Sequence, residues 1–224
     1  MLSLIKNFLV KRNFFLRALI WVSDNIYFEH TKKDFRHLGE NSIIHPNCFF
    51  SHKNRVIIKN NTQIHGGSYF HCQGGLYIGN NVGIAYGCTI LTAEHKFRHA
   101  QAIPYDPSII AKPVYINDNV WIGAKVCVMP GVEIGEGAII GIGSVVTKSV
   151  PPCAIAFGNP ATIMGYRDKE EYEKNKNEKN FVQHSYFDKV VVPKFVQIRP
   201  KLYNLVQPFI ENNEMSMEEN SGKD

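Results

Sequence analysis

The chain has 224 residues, 44% of them hydrophobic, and a formal net charge of +5 with a pI near 8.9. This composition suits one large domain with flanking segments, and the mild basic excess fits an anionic ligand or a membrane surface. The five cysteines show no CxxC or CxxH spacing, which argues against a disulfide framework or a structural zinc site and indicates a reduced, cytoplasmic compartment.

Residues 1–37 are rich in apolar side chains, but basic residues interrupt every apolar run. No stretch there approaches the roughly twenty residues that a bilayer span requires. On a helix, Lys6, Lys11 and Arg17 fall on one side, opposite Phe8 and Leu16. We predict an amphipathic N-terminal helix that caps the domain, and the alternative is that residues 1–22 bind an anionic membrane surface, peripherally at the inner membrane face.

A six-residue period begins at Leu38 and organises the middle of the chain. Six is neither the helical period nor the simple strand period. A strand of about five residues followed by a tight corner fits each hexad, because side chains on a strand alternate between its two faces. The apolar positions form three groups, each starting twenty residues after the last: Leu38, Ile44, Phe50; Ile58, Ile64, Phe70; Ile78, Ile84, Ile90.

The period is most regular over residues 116–151. Three strands of this kind close a triangular coil of about eighteen residues, and stacked coils pair each strand with those above and below. We therefore predict an all-β fold, a parallel β-helix, whereas an ordinary sheet protein would lose the period within two or three strands. The sixth positions are Ile116, Ile122, Val128, Ile134, Ile140 and Val146, each followed four residues later by a small or branched residue.

The hexads stop after Ile90 and resume at Ile116, so residues 96–115 are predicted to leave the β-helix as a functional loop. His95 stands where the loop begins. Because the pKa of histidine lies near neutral pH, this position suits a general base, although a structural role is the alternative.

The chain after Val150 departs from the hexads. Residues 151–167 read as a final irregular coil, which ends the predicted β-helix domain of residues 38–167. Residues 168–180 are strongly charged and read as a short solvated helix or a linker. Residues 181–224 contain apolar clusters that suit a packing arm, followed by a polar tail.

Three features together resemble the left-handed β-helix hexapeptide acyltransferases. They are the His95 loop, the segment NVWIGAKVCVMPGVEIGEGAIIGIGSVVTKSVPP and the closing GNPA. The branch most similar is the galactoside, maltose, virginiamycin and colanic-acid type of O-acetyltransferase, over Leu38 to Arg167. The resemblance implies a left-handed β-helix and a homotrimer with three sites between subunits. Each site would take acetyl-CoA and a carbohydrate acceptor, without a metal, and nothing indicates a nucleic-acid partner.

The resemblance also implies roles for individual residues. His95 would be the catalytic base, Trp121 would line the acceptor or pantetheine channel, and the Ala124 amide would face the thioester oxygen. The remaining CoA contacts would be Ile142, Thr147 and Lys148. The galactoside branch also has two arginines where this chain has Thr162 and Gly165, and Arg167 would take their place. The acceptor positions would be His65, where that branch has an asparagine, Gln73, where it has an acid, and the loop residues His99 and Tyr105.

The expected chemistry is transfer of acetyl from acetyl-CoA to a sugar hydroxyl, in the synthesis of capsule, O-antigen or exopolysaccharide. Two other readings share the fold. A β-helix zinc carbonic anhydrase would use His65, His95 and His99, but the last two have three intervening residues where four are normal. A non-catalytic scaffold would not require His95, its loop or the GNPA ending. Acetylation of serine or another amino acid stays within the acyltransferase class.

Overall fold

A computed structural model describes residues 35–45 and 47–182 of the chain. The predicted N-terminal amphipathic helix and the C-terminal arm lie almost entirely outside the described residues. The description below therefore concerns the repeat region and the segment that follows it.

The described residues form nineteen short strands and one α-helix, α1 (Lys169–Asn177), together with a 3-10 turn at Lys53–Arg55. The strands are β1 (His37–Leu38), β2 (Ile43–Ile44), β3 (Phe49–Phe50), β4 (Val56–Ile58), β5 (Gln63–Ile64), β6 (Tyr69–His71), β7 (Leu76–Ile78), β8 (Gly83–Ile84), β9 (Thr89–Leu91), β10 (Ala93–His95), β11 (Ile109–Ala111), β12 (Val114–Ile116), β13 (Trp121–Ile122), β14 (Cys127–Val128), β15 (Glu133–Ile134), β16 (Ile139–Ile140), β17 (Val145–Val146), β18 (Ala154–Gly158) and β19 (Ala161–Tyr166).

Three sheets enclose one core, as the hexads predict. The first sheet has the order β1-β4-β7-β12-β15, the second β19-β18-β16-β13-β8-β5-β2 and the third β17-β14-β9-β6-β3. Successive strands along the chain belong to successive sheets, so three strands close one coil. The result is a parallel β-helix of five complete coils and the start of a sixth.

The strand register follows the spacing of the apolar residues. In the early coils Leu38 pairs with Ile58 and Phe50 with Phe70, each twenty positions apart. After the loop, Ile116 pairs with Ile134, eighteen positions apart. The predicted pairing is therefore confirmed in both parts of the solenoid.

The inner positions of the hexads form a closed apolar column. The side chains that are fully buried include Ile58, Ile64, Phe70, Ile78, Ile84, Ile90, Ile116, Ile122, Ile134 and Ile140. Phe50 and Phe70 stack with ring centroids 4.2 Å apart. Burial raises the pKa of the Cys48 thiol to about 11 and that of Cys72 to about 12, so these cysteines are neutral core side chains.

Three corners join the sheets, and the site is described below by their names. The first corner comprises residues 39–42, 59–62, 79–82, 117–120 and 135–138. The second comprises residues 45, 47–48, 65–68, 85–88, 123–126 and 141–144, and the third comprises residues 51–55, 72–75, 92–113, 129–132 and 147–149.

Asparagines stack along the first corner because its backbone turns through left-handed conformations. Asn61, Asn81 and Asn119 have φ of 53°, 55° and 61°, a region that asparagine tolerates better than most residues. The Asn61 side-chain amide donates to Asn81 Oδ1 at 2.7 Å, and Asn81 donates to Asn119 Oδ1 at 3.0 Å. This ladder ties three coils together.

The excursion between coils three and four is more ordered than the predicted loop of residues 96–115. The strand β10 (Ala93–His95) pairs antiparallel with β11 (Ile109–Ala111), so the excursion is a hairpin whose irregular part is residues 96–108. The strand β12 has already rejoined the first sheet at Val114, two positions before Ile116. The hexad pattern missed β11 because a hairpin outside the solenoid has no sixth-position partner.

The segment after the hexads closes the solenoid and returns to the first corner. The strand β18 pairs parallel with β16 and antiparallel with β19. The helix α1 is present as predicted, and its N-cap Asp168 accepts a hydrogen bond from the Glu171 amide at 2.8 Å. Its side chains are not all solvated, however, because the Tyr172 hydroxyl donates to Glu136 Oε1 at 2.9 Å and Lys176 Nζ lies 2.6 Å from the same oxygen.

The carboxylate of Glu136 is the centre of this contact, and we predict that it makes stability depend on pH. Burial raises the pKa of Glu136, but hydrogen bonds from Lys176, Tyr172 and Asn119 lower it to a net value below the ordinary range. The stabilisation is therefore present above the ordinary glutamate pKa, about 4.3, and is lost as pH falls through the lowered value.

Glu136→Gln should lower the Tm at pH 7, and the difference from wild type should close in acid. Thermal unfolding followed between pH 7 and pH 3 checks this. Glu133→Gln is the matched control and should change the Tm little, because the exposed Glu133 carboxylate accepts a hydrogen bond only from Asn117 Nδ2 among the described residues. A gap between wild type and Glu136→Gln that stays constant with pH would contradict the expectation.

Candidate active site

His95 lies at the end of β10, where the excursion leaves the third corner. Its side chain is exposed, and its ring stacks on that of Tyr105 with centroids 4.1 Å apart and an interplanar angle of 21°. The structure therefore brings together two of the residues singled out in the sequence. His99 is exposed in the same excursion.

A buried carboxylate holds the excursion closed beside this pair. Asp106 Oδ1 accepts from the Ser108 amide at 2.8 Å, the Asp106 amide donates to the Lys96 carbonyl at 3.1 Å, and Lys96 Nζ lies 3.8 Å from Asp106 Oδ2. Burial raises the pKa of Asp106, but hydrogen bonds from Ser108 and the charge of Lys96 outweigh it, so the net pKa is lowered. These contacts of Asp106 fix the backbone next to Tyr105, the residue before it in the sequence.

Glu94 precedes His95 in the sequence, but its carboxylate pairs with Lys112 rather than with the His95 ring. Adjacent residues on a strand point to opposite faces, and the Glu94 carboxylate accepts from Lys112 Nζ at 2.6 Å. The ion pair spans β10 and the residue after β11. It closes the base of the hairpin.

Gln73 lies at the third corner, one coil below the excursion. Its backbone carbonyl accepts a hydrogen bond from the Arg55 guanidinium of the coil beneath. Gly74 follows it, and a Cβ there would lie only 2.0 Å from the Thr92 carbonyl oxygen, so the corner is tightly stacked. The hexad pattern does not indicate Arg55 as a site residue.

Ala124 and Ile142 stack in consecutive coils at the second corner. The Gly143 amide donates to the Ala124 carbonyl at 2.8 Å, which fixes the turn. The Ala124 amide itself has no hydrogen-bond acceptor among the residues that the structure describes. Ile142 is 75% exposed, and Trp121, on β13 just before this corner, is 56% exposed.

A histidine pair lies lower on the second corner. His65 stacks on His45 with centroids 4.7 Å apart and an interplanar angle of 8°, and Gln63 Nε2 lies 3.0 Å from His45 Nε2. Of these residues, the resemblance assigns only His65 to the acceptor site. The signal for its partners was the twenty-residue repeat, which places residue 45 directly beneath residue 65.

The remaining expected residues divide between two corners. Thr147 and Lys148 are exposed at the third corner. Arg167 lies at the first corner, where its Nε donates to the Gly137 carbonyl at 2.5 Å and its guanidinium lies 5.8 Å from the centroid of the Tyr172 ring. The single chain thus does not bring Arg167 to the residues of the second and third corners.

Two further properties of the described part of the chain concern metal binding and membrane-spanning helices. Within residues 35–45 and 47–182, no group of three or more histidine, cysteine, aspartate or glutamate side chains is arranged to hold a metal ion. None of the helices in that part of the chain is long and apolar enough to cross a membrane.

A family model described as bacterial transferase hexapeptide (six repeats) matches residues 113–148. The galactoside O-acetyltransferase of Escherichia coli (strain K12) is 33% identical over 147 residues, covering 64% of this chain and 71% of that protein. The chain belongs to the bacterial hexapeptide transferase family. The galactoside O-acetyltransferase of Lactococcus lactis subsp. lactis is 35% identical over 151 residues and covers 60% of this chain and 65% of that protein.

Solved structures of hexapeptide transferases are also similar to this chain. A hexapeptide-repeat acetyltransferase from Vibrio cholerae in complex with acetyl coenzyme A is 31% identical, with a TM-score of 0.56, over 62% of this chain and 75% of that chain. A galactoside acetyltransferase in complex with coenzyme A is 31% identical, with a TM-score of 0.59, over 63% of this chain and 70% of that chain. The all-β, left-handed parallel β-helix that the resemblance implied is confirmed.

The contacts of Asp106 lead to a prediction about the excursion. Asp106→Ala removes the carboxylate that accepts the hydrogen bond of the Ser108 amide, and a bond to a charged acceptor is one of the stronger contacts of this turn. The excursion should open more often, and limited trypsin digestion should cleave after Arg98 about tenfold faster.

Lys96→Met is the matched control for this digestion. It removes the ion pair but keeps the hydrogen bond between Asp106 and Ser108, and an ion pair with a 40% exposed lysine contributes little. Cleavage after Arg98 should then stay close to the wild-type rate. Equal acceleration in both variants would mean that the ion pair, rather than the turn, closes the excursion.

Proposed function

We propose that the protein transfers an acetyl group from acetyl-CoA to a hydroxyl group of a carbohydrate acceptor. The names of its relatives support this reaction, because two galactoside O-acetyltransferases are 33% and 35% identical to it over 147 and 151 residues. The complexes of solved hexapeptide transferases with acetyl coenzyme A and coenzyme A support the choice of donor. The observation that carries the proposal in this chain is an exposed histidine, His95, held by a stacked tyrosine at the mouth of an ordered excursion.

His95 acts as the general base. Its imidazole accepts the proton of the acceptor hydroxyl as that oxygen attacks the carbonyl carbon of the thioester. The new C–O bond gives a tetrahedral oxyanion, which the Ala124 amide stabilises by donating a hydrogen bond. Collapse of this intermediate breaks the C–S bond, and the CoA thiolate takes the proton from the imidazolium, so that His95 returns to its neutral form.

These two groups belong to different corners, so a complete site needs two chains. His95 leaves from the third corner and Ala124 lies at the second, with the whole third sheet between them. A site that holds both must lie where the third corner of one protomer meets the second corner of its neighbour. Repeating this contact closes a ring of three, a homotrimer with three sites.

The outer face of the third sheet suits burial in such a trimer, because it lies between the two corners that must meet neighbours. Its outward positions carry no charged residue in the first column, Phe49, Tyr69, Thr89, Cys127 and Val145, or at His71 and Leu91 in the second. The adjoining positions of the third corner, Ser51, Met129 and Thr147, are uncharged as well. Phe49 and Tyr69 stack at 5.1 Å and remain 48% and 43% exposed in the single chain. Exposed aromatic pairs of this kind are typical of protein interfaces.

Acetyl-CoA lies along the groove between neighbouring protomers. Ala124 and Ile142 offer consecutive turns of the second corner on one side, with Trp121 close to the thioester end. Thr147 and Lys148 of the third corner lie on the other side, and the Lys148 ammonium suits a phosphate. Arg167, the other expected CoA contact, lies at the first corner of the same chain, where its Nε donates to the Gly137 carbonyl.

The acceptor meets the excursion and the lower coils. Gln73, His65, His99 and Tyr105 surround the mouth of the groove on the side of the early coils, with Tyr105 also holding His95 in place. The biological acceptor in this proposal is a sugar of a capsular, O-antigen or exopolysaccharide precursor, modified in the cytoplasm or at the inner membrane face. This assignment rests on the carbohydrate acceptors named for the relatives.

His95→Ala tests the chemistry. A positioned base contributes on the order of a hundred- to ten-thousand-fold, so the rate of thiol release from acetyl-CoA with a galactoside acceptor should fall by at least about a hundredfold. The affinity for CoA, measured by calorimetric titration, should stay unchanged. His37→Ala, at an exposed position on the first sheet, is the control and should keep its rate. A His95→Ala enzyme of near-normal rate would remove His95 from the mechanism.

Tyr69→Asp tests the assembly. A carboxylate buried without a partner is costly, so the variant should dissociate to monomers in sedimentation velocity and lose activity because its sites are incomplete. Tyr115→Asp, on the first sheet at 46% exposure, should remain trimeric and active. If Tyr69→Asp stays trimeric while Tyr115→Asp dissociates, the interface lies on the first sheet instead.

A further inference from the structure

Most acidic side chains in the described part of the chain lie on one side of the β-helix. Nine of the eleven lie at the first corner, on the first sheet or in and beside α1: Glu40, Asp118, Glu133, Glu136, Asp168, Glu170, Glu171, Glu173 and Glu178. The other two lie in the excursion and are paired, Glu94 with Lys112 at 2.6 Å and Asp106 with Lys96 at 3.8 Å. The second and third corners therefore carry no unneutralised acid among the described residues.

Arg55 at the third corner is a cation held in place without a carboxylate. Its guanidinium donates to the backbone carbonyl of Gln73, and the residue is exposed. No acidic partner for it exists among the described residues. A guanidinium that is fixed by one hydrogen bond keeps its other N–H groups for a planar oxyanion, to which it binds through charge-assisted bonds.

The position of Arg55 relates it to the acceptor rather than to CoA. It lies two coils below the strand that ends at His95, with Gln73 between, so the separation along the solenoid is about 10 Å at the usual spacing of neighbouring strands. The turns of Ala124 and Ile142 lie in coils on the other side of His95. An anion bound by Arg55 therefore belongs to a part of the acceptor beyond the hydroxyl that reacts.

We propose that Arg55 binds an oxyanion of the acceptor, and that the substrate is an acidic carbohydrate with a carboxylate or phosphate on a group next to the acetylated sugar. This inference rests on the proposed acetyl transfer and names its substrate class. The segregation of acids supports it, because an acidic acceptor meets no repelling carboxylate along the second and third corners. Neutral Gln73, beside Arg55, is compatible with the same ligand.

The test compares three acceptors with the purified full-length protein. They are a methyl glucosyl-galactoside, the glucuronosyl-galactoside that differs only by a carboxylate, and UDP-galactose, which carries a diphosphate. We expect kcat/KM for one charged acceptor to exceed that for the neutral disaccharide by at least about tenfold, and this advantage should shrink as KCl is raised. Preference for the glucuronate assigns a sugar carboxylate, and preference for UDP-galactose assigns a phosphate.

Arg55→Gln should abolish this preference while leaving kcat/KM for the neutral disaccharide and KM for acetyl-CoA close to wild type. Arg55→Lys, which keeps the charge but loses the planar fork, should retain part of it. Lys59→Gln removes the same charge at the first corner and should change nothing. Binding of the three acceptors to the CoA-loaded protein is measured alongside, so that the comparison does not depend on turnover.

The outcomes separate this inference from the proposed function. Acetylation of the neutral disaccharide at a rate equal to or higher than the rates of both charged acceptors overturns the inference and leaves acetyl transfer standing. Equal binding of all three acceptors, or binding of none of them, does the same. A rise in KM for acetyl-CoA in Arg55→Gln, with the acceptor preference intact, assigns Arg55 to CoA and also overturns it. Absence of any acetyl-CoA binding by the wild-type protein overturns the proposed function itself.

Discussion

Parallel pairing between very short strands is the interaction on which this structure depends. A strand such as β13 has two residues, and it is ordered because β8 lies below it and β16 above it. Each of these pairings also stacks one buried aliphatic residue on the next, as Ile84, Ile122 and Ile140 do. A shift by one residue would turn the buried side chain of every strand toward solvent, so register and burial enforce each other.

This constraint decides where the chain can tolerate extra residues. The two additional residues of each early coil fall at the third corner, where Phe50 and Ile58 are eight positions apart and Val128 and Ile134 only six. The excursion emerges at the same corner. Its base is closed by β10 and β11 and by the bond from the Lys112 amide to the Thr92 carbonyl at 2.8 Å. The solenoid above and below therefore keeps its register, and residues of the excursion are free to serve a ligand.

The hexad pattern predicted the strand pairing of the solenoid because a single period governs both register and burial. It predicted the position of His95 for the same reason, since His95 follows directly from the last strand of the third coil. It did not predict β11, the stacking of Tyr105 on His95 or the pairing of Glu94 with Lys112. These contacts join residues of the hairpin. The spacing of such residues along the chain depends on the course of the hairpin and does not follow the six-residue period. The His45–His65 stack lay within reach, since the twenty-residue repeat relates those two positions.

The same distinction explains how far residue roles can be carried over from relatives. Within the hexads, a residue's place in the period determines its corner, so Ala124 and Ile142 necessarily stack on one another at the second corner. Beyond Pro151 and Pro152 the chain turns into the β18–β19 hairpin, and position in the sequence no longer determines a corner. Arg167 illustrates this, because its amide donates to the Cys153 carbonyl at 2.8 Å and holds it over the first corner. In the proposed site the cation for the phosphates of CoA is Lys148 of the third corner, because the register of the hexads sets the place of its side chain.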